Sequence, residues 1–239
     1  YKLILLFDEF DEPLARLEAR VLLNLRALQD RYGTRLAFVT ATVQPLTRLR
    51  NEDHCGEFCE LFSHRNWYLA PLTRLDVDRL VHRYMTAFEV NFIASDIDFI
   101  YEWAGGHPRM LEGVCRAMEA ALDGTRTHLD NPTERWQWQR NVMRDLRHDE
   151  TLTAECAKIW NSCSEAEQKE LLALIKADHQ PDPTILAELL RKHILLKVEG
   201  TPQLFCRLFA EYVQRKVVGS QPRSSALWVD VDHGEVLVG

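Results

Sequence analysis

Apolar side chains run without a break from Lys2 to Phe7 and stop at four acids in five residues, Asp8, Glu9, Asp11 and Glu12. Such a run reads as a strand buried on both faces of a parallel sheet. Leu14, Leu17, Val21, Leu25 and Leu28 then recur at helical spacing. Pro13 sits in the first turn of that helix and Gly33 stops it. Arg35–Thr40 reads as a second strand, ending in Thr40-Ala41-Thr42. Strand, helix, strand places the acids and the threonines at one carboxyl edge, where open α/β sheets bind ligands. A short helix is expected over Glu57–Phe62 and a third strand over Trp67–Ala70.

From residue 72 the period becomes helical. Thr73-x-x-Asp76 predicts a capped helix over about 74–89. Ser95-x-x-Asp98 opens the next, which Gly105-Gly106 closes, and His107-Pro108 starts a third with Met110, Leu111, Val114 and Met118 on its apolar face. Asn131-Pro132-x-Glu134 begins another, holding Trp136, Trp138 and Met143, and Thr153–Trp160 a further one. Ser164-x-x-Glu167 caps the next, and Pro181-Asp182-Pro183 turns the chain into Thr184–His193. Ile194–Val198 and Gln203–Phe205 read as a small hairpin before a last helix holding Phe209, Tyr212 and Val213. Helices closed by a short hairpin resemble a winged helix-turn-helix. After a polar linker over Gly219–Ser225, Leu227–Val231 and Glu235–Val238 alternate with period two around Asp232-His233-Gly234, a second hairpin.

Composition narrows the picture. The 239 residues are 46% hydrophobic and 27% charged, which is ordinary for a globular chain. No apolar run is long enough to span a membrane and no basic, signal-like N-terminus is present, so a cytoplasmic protein with no membrane partner is expected. Net charge is −5 over residues 1–130, zero over 131–219 and −2 over 220–239, so no part has the basic excess of a dedicated nucleic-acid binder. None of the 10 glycines is followed by lysine, which excludes a phosphate-binding P-loop within these residues. The chain begins on Tyr1 inside an apolar run and ends on Gly239 after another, so a piece of a larger protein is expected. The six cysteines are expected to be reduced. His54, Cys55, Cys59 and His64 supply four zinc-type donors, but their spacing matches no common zinc knuckle, and a loop with a short helix is the competing reading.

The chemistry concentrates at the first acids. A buried strand holds Asp8 rigidly at a sheet edge, where its carboxylate can take a nucleotide's Mg²⁺ directly or through water. Glu9 points to the other side and can polarise a water. Thr40 or Thr42, at the tip of the neighbouring strand, can hydrogen-bond a phosphate. Asp11 and Glu12 are accounted for by the positive end of the following helix.

LILLFDEFD at 3–11, LAFVTAT at 36–42, WYLAPL at 67–72 and WAGGHPRML at 103–111 occur in an order that resembles the AAA-like ATPases of the STAND type and the archaeal and origin-recognition-like ATPases. The likeness covers about the first 125 residues. It implies a mostly α chain with an α/β part: a partial parallel-sheet P-loop NTPase core over 1–71, a helical lid over 72–130 and a winged helix-turn-helix over 131–219. Residues 220–239 would form a linker and the first hairpin of a second winged-helix domain. It also implies Asp8 as the metal ligand, Glu9 as the catalytic base, Thr40 or Thr42 as the sensor and Arg65 as the arginine finger. His107 would contact phosphates from the lid, and Pro108 would lie against the base. The cofactors implied are ATP and Mg²⁺ in the full-length protein, whose P-loop would lie upstream; these residues alone are expected to be inactive.

LLRKHILLKVEGTPQLFCRLFAEYV at 189–213 carries the winged-helix likeness, with Thr184–His193 as the DNA-reading helix and Arg191 and Lys192 as its basic residues. Two bases are thin for phosphate contacts, which favours packing as a switch module. LWVDVDHGEVLVG at 227–239 resembles the opening hairpin of a response-regulator-type winged helix. The function implied is a nucleotide-driven signalling switch in a transcriptional regulator, with DNA bound through a downstream domain and a nucleotide-dependent homo-oligomer among its partners. The alternative is a non-hydrolysing scaffold or DNA-binding regulator with a degenerate nucleotide site.

Overall fold

In a computed structural model, described over residues 1–49, 57–122, 131–176, 181–219, 228–229 and 236–237, β1 (Leu3–Phe7) lies parallel to β2 (Leu36–Thr40), with Phe7 opposite Thr40. The described chain is mostly helical, with three two-stranded sheets. It divides into two units, Tyr1–Tyr68 and Leu69–Gly239.

In the first unit, the single helix expected between the strands is two, α1 (Asp11–Arg16) and α2 (Ala19–Tyr32). Leu17 and Glu18 take extended backbone angles, so the helical hydrogen bonds stop at Pro13 O···H–N Leu17 and restart beyond. The bend buries Leu14, and with it Leu22, which the helical spacing does not single out, and leaves Val21 and Leu28 exposed, although that spacing groups them with Leu14. The core of this unit is small and aromatic. Phe10, Leu14, Leu22, Leu46 and Phe58 are buried, with Phe7, Phe38 and Phe62 against them, and the Phe7 and Phe10 rings lie 5.0 Å apart. Leu46 belongs to α3 (Leu46–Leu49). The opposite face of the sheet is open, with Ile4, Leu6 and Val39 exposed, Leu6 at 74%.

Trp67–Ala70 is not a strand. The stretch forms neither strand nor helix, and Trp67 and Leu69 are 89% and 95% exposed. An apolar extended segment becomes a strand only where a neighbour takes its backbone hydrogen bonds, and among the described residues β1 and β2 pair only with each other.

The second unit holds α4 (Arg74–Phe88), α5 (Ala94–Ala104), α6 (Pro108–Ala120), α7 (Pro132–Leu146), α8 (Glu150–Ser162), α9 (Glu165–Lys176) and α10 (Pro183–Arg191). Then come β3 (Leu195–Val198), β4 (Thr201–Leu204) and α11 (Arg207–Gly219). The caps explain the helix starts. Thr73 Oγ1 accepts from Asp76 N, Asn131 from Thr133 N and Asp182 from Thr184 N, while Ser164 and Glu167 cap each other's backbone. Ser95 is not a cap. The α5 start is held by the Asp96 carboxylate, which accepts from Ile93 N at 2.9 Å and pairs with Arg135 and Gln139 of α7.

A single buried core runs from Val77 through α5, α6, α7 and α8 to Val213 of α11, without a break between the helices before and after residue 130. β3 and β4 form an antiparallel hairpin with Val198 opposite Thr201. The turn is therefore two residues, Glu199-Gly200, both at positive φ as such a turn requires. Trp228–Val229 pairs antiparallel with Val236–Leu237.

Lys192 is not a DNA-facing base. Its side chain is 7% exposed and lies 2.5 Å from the Glu167 carboxylate. Burial works to raise the Glu167 carboxyl, but Lys192 and the Ser164 amide outweigh it and hold it below the ordinary range. Arg191 pairs with Glu188 of its own helix.

Candidate functional site

The carboxyl edge of β1 and β2 gathers four of the residues singled out from the sequence. Parallel pairing ends on Phe7 and Thr40, and two backbone hydrogen bonds extend it: Ala41 N–H to Phe7 O at 2.8 Å and Phe10 N–H to Ala41 O at 3.0 Å. Asp8 and Glu9 therefore lie across from the Thr40-Ala41-Thr42 segment. Both acids are exposed, and both threonines are half-buried. Asp8 Oδ1 accepts from the Glu9 amide at 3.0 Å. Glu9 has φ +49°, left-handed backbone that L side chains other than Asn and Asp rarely take.

Asp11 has a role that helix-terminus electrostatics alone does not predict. Its carboxylate accepts from the backbone N–H of Val43 at 3.0 Å and of Gln44 at 3.3 Å, so it clamps the segment after β2 to the segment after β1. The sequence carries no local signal for this, because the partners are 32 and 33 residues away.

Arg65, in the same unit, is exposed at the start of a stretch without helix or strand that runs to residue 73. His107 and Pro108 belong to the second unit. Pro108 is exposed at the first position of α6. His107 is partly buried at the N-cap position, with its ring 6.3 Å from that of Phe205 and its Nδ1 buried without a hydrogen-bond partner. Burial holds its pKa below the ordinary histidine value, with Lys158 of α8 acting in the same direction and Glu155 against it.

The two glycines before His107 are packing residues. A Cβ on Gly105 would stand 2.0 Å from Phe205 O, and one on Gly106 2.4 Å from Leu72 O. Gly106 O also accepts from Leu72 N–H at 2.9 Å. The Gly-Gly pair thus ties the end of α5 to the 71–72 segment on one side and to the 205–206 segment on the other.

Of the zinc-type donors, His54 and Cys55 lie outside the described residues. Cys59 is disulfide-bonded rather than reduced as expected, while Cys115, Cys156, Cys163 and Cys206 are free and buried. Burial pushes the Cys115 and Cys156 thiols up to about 12, so neither is a reactive thiolate at neutral pH. Among the described residues, no group of three or more His, Cys, Asp or Glu side chains could hold a metal ion, and no helix is long and apolar enough to cross a membrane.

Compared with family models, curated proteins and solved structures, the chain matches none.

Proposed function

We propose that this chain carries the acidic half of a nucleotide site in an ATP-dependent switch. The observation that carries the reading is the edge of the parallel pair. An exposed Asp8–Glu9 step faces the Thr40–Thr42 segment, and the two are tied by Ala41, Phe10 and Asp11. Ligands of open parallel sheets sit at such edges. On this reading Asp8 holds Mg²⁺, Glu9 orients the attacking water, and Thr40 or Thr42 hydrogen-bonds the terminal phosphate. Bound Mg²⁺ would neutralise charge on the phosphates. The phosphate cradle itself has no counterpart among these residues, so it would come from upstream. The helices and hairpin of the second unit would relay the switch as a winged-helix module. DNA would be bound by a further domain rather than by α10, since Lys192 just after it is paired with Glu167.

The test is the chain extended by its upstream sequence. There, Glu9→Gln should retain ATP binding and lose turnover by about 10²–10⁴-fold. Full turnover in that variant would remove Glu9 from the chemistry. A second reading, a non-hydrolysing interaction scaffold, draws on the exposed Ile4, Leu6 and Val39. It predicts no nucleotide binding by the extended chain.

A further inference from the structure

A second site lies wholly within the Leu69–Gly239 unit and does not depend on the nucleotide reading. On α4, Tyr84 and Phe88 stand one turn apart and stack, ring centroids 4.4 Å apart and planes 29° apart. Phe88 is 54% exposed. Glu112, Arg116, Glu119 and Ala120 of α6 face them, and the six residues line an open groove of about 770 Å³. That volume falls in the range of small-ligand sites, roughly 300–1,000 Å³.

The polar groups of the groove are unevenly matched. Arg116 approaches Glu112 across one helical turn at 3.7 Å. The Tyr84 hydroxyl donates to Glu119 Oε2, and burial together with that carboxylate raises the phenol above its ordinary value, so Tyr84 stays a donor. Glu119 Oε1 accepts no hydrogen bond among the described residues. The lining therefore carries one net negative charge, with Glu119 Oε1 not engaged by Tyr84, beside an aromatic wall that is itself attractive to cations. An anion would meet carboxylates on that side, and a neutral apolar molecule would gain nothing from the Glu119 charge.

We propose that this groove binds a small organic cation, an ammonium or guanidinium carried on an apolar body, with the charge at Glu119 and the body against Tyr84 and Phe88. The cation gives Glu119 Oε1 a charge-assisted hydrogen bond, and the apolar body covers the exposed ring of Phe88.

The experiment uses the 239-residue chain and two probes of equal shape, 2-phenylethylammonium and neutral 2-phenylethanol, titrated by ligand-observed NMR. The ammonium should bind with a Kd of order 1 mM and about five-fold more tightly than the alcohol. Glu119→Gln, which keeps an acceptor for Tyr84, should bring the two probes within about two-fold of each other. Phe88→Ala, at an exposed position, should weaken both while the far-UV spectrum stays native. Equal binding of the two probes overturns the proposal, as does no binding of either up to about 10 mM. Binding only of a lysine-rich peptide reassigns the groove to a protein partner and equally overturns it.

Discussion

The two units of this protein use their unusual residues in opposite ways. In residues 1–68 the exposed groups are the ones with chemistry: Asp8 and Glu9 are open, and the sheet beside them leaves Ile4, Leu6 and Val39 uncovered on one face. In residues 69–239 the groups that look chemical are spent on packing. Gly105 and Gly106 admit backbone contacts, His107 turns its ring to Phe205, and Lys192 is enclosed with Glu167. The lesson is that a motif residue is free for a ligand only where the surrounding core has not already claimed it. A large continuous core claims more of them than a core built on five buried side chains.

The comparison breaks first at the glycines. Gly105→Ala forces a Cβ into the Phe205 carbonyl at φ +58°, and the clash and strain together should cost roughly 3–5 kcal/mol. Gly33→Ala, at φ +52° and ψ −127° with nothing within 4 Å, meets backbone strain alone and should cost roughly 1–3 kcal/mol. Urea denaturation of both variants measures the difference; equal losses would mean that Gly105 is merely a helix terminus.

A smaller effect is expected in the first unit. Asp11→Ala removes a carboxylate that holds two amides in a half-exposed setting, worth about 1 kcal/mol. Amide hydrogen exchange at Val43 and Gln44 should accelerate, and protection unchanged at both would remove the clamp.

The smallest is a pH effect in the second unit. The depressed pKa of His107 means that the folded state favours the neutral ring, because burial and Lys158 oppose the charge. Its contribution is fully present above the ordinary histidine value near 6.5 and is lost as pH falls through the lower folded value. His107→Gln should flatten the decline in melting temperature below about pH 6.5. A parallel decline in both proteins would assign the loss to carboxylates such as Glu167 and Glu211, which titrate lower.

Most of the helical frame is legible from local signals. The caps at Thr73, Asn131, Ser164 and Asp182 act within three residues, so the sequence displays both partners of each. The parallel pair is legible for a similar reason, since its two apolar runs flank one helical stretch. The rest depends on contacts between distant residues. Nothing local distinguishes Trp67–Ala70 from a strand, because a strand is defined by its neighbour. Ser95 has a cap's spacing, yet Asp96 takes the role through Ile93 and its buried pairing with Arg135. Lys192 reads as a surface base until Glu167 is placed beside it. At the candidate site, the order of Asp8, Glu9 and Thr40 is visible in the chain, whereas the clamp at Asp11 and the left-handed turn at Glu9 appear only once both strand ends are in place.

The unbroken core from Val77 to Val213 has a mechanical consequence. A body without an internal seam has one set of rigid-body freedoms. Helices α4 to α6 therefore cannot shift while the β3–β4 hairpin stays behind, unless Gly105 parts from Phe205 and buried side chains are exposed to water. Displacement imposed at the start of α4 would therefore strain the same close-packed side chains that hold the hairpin.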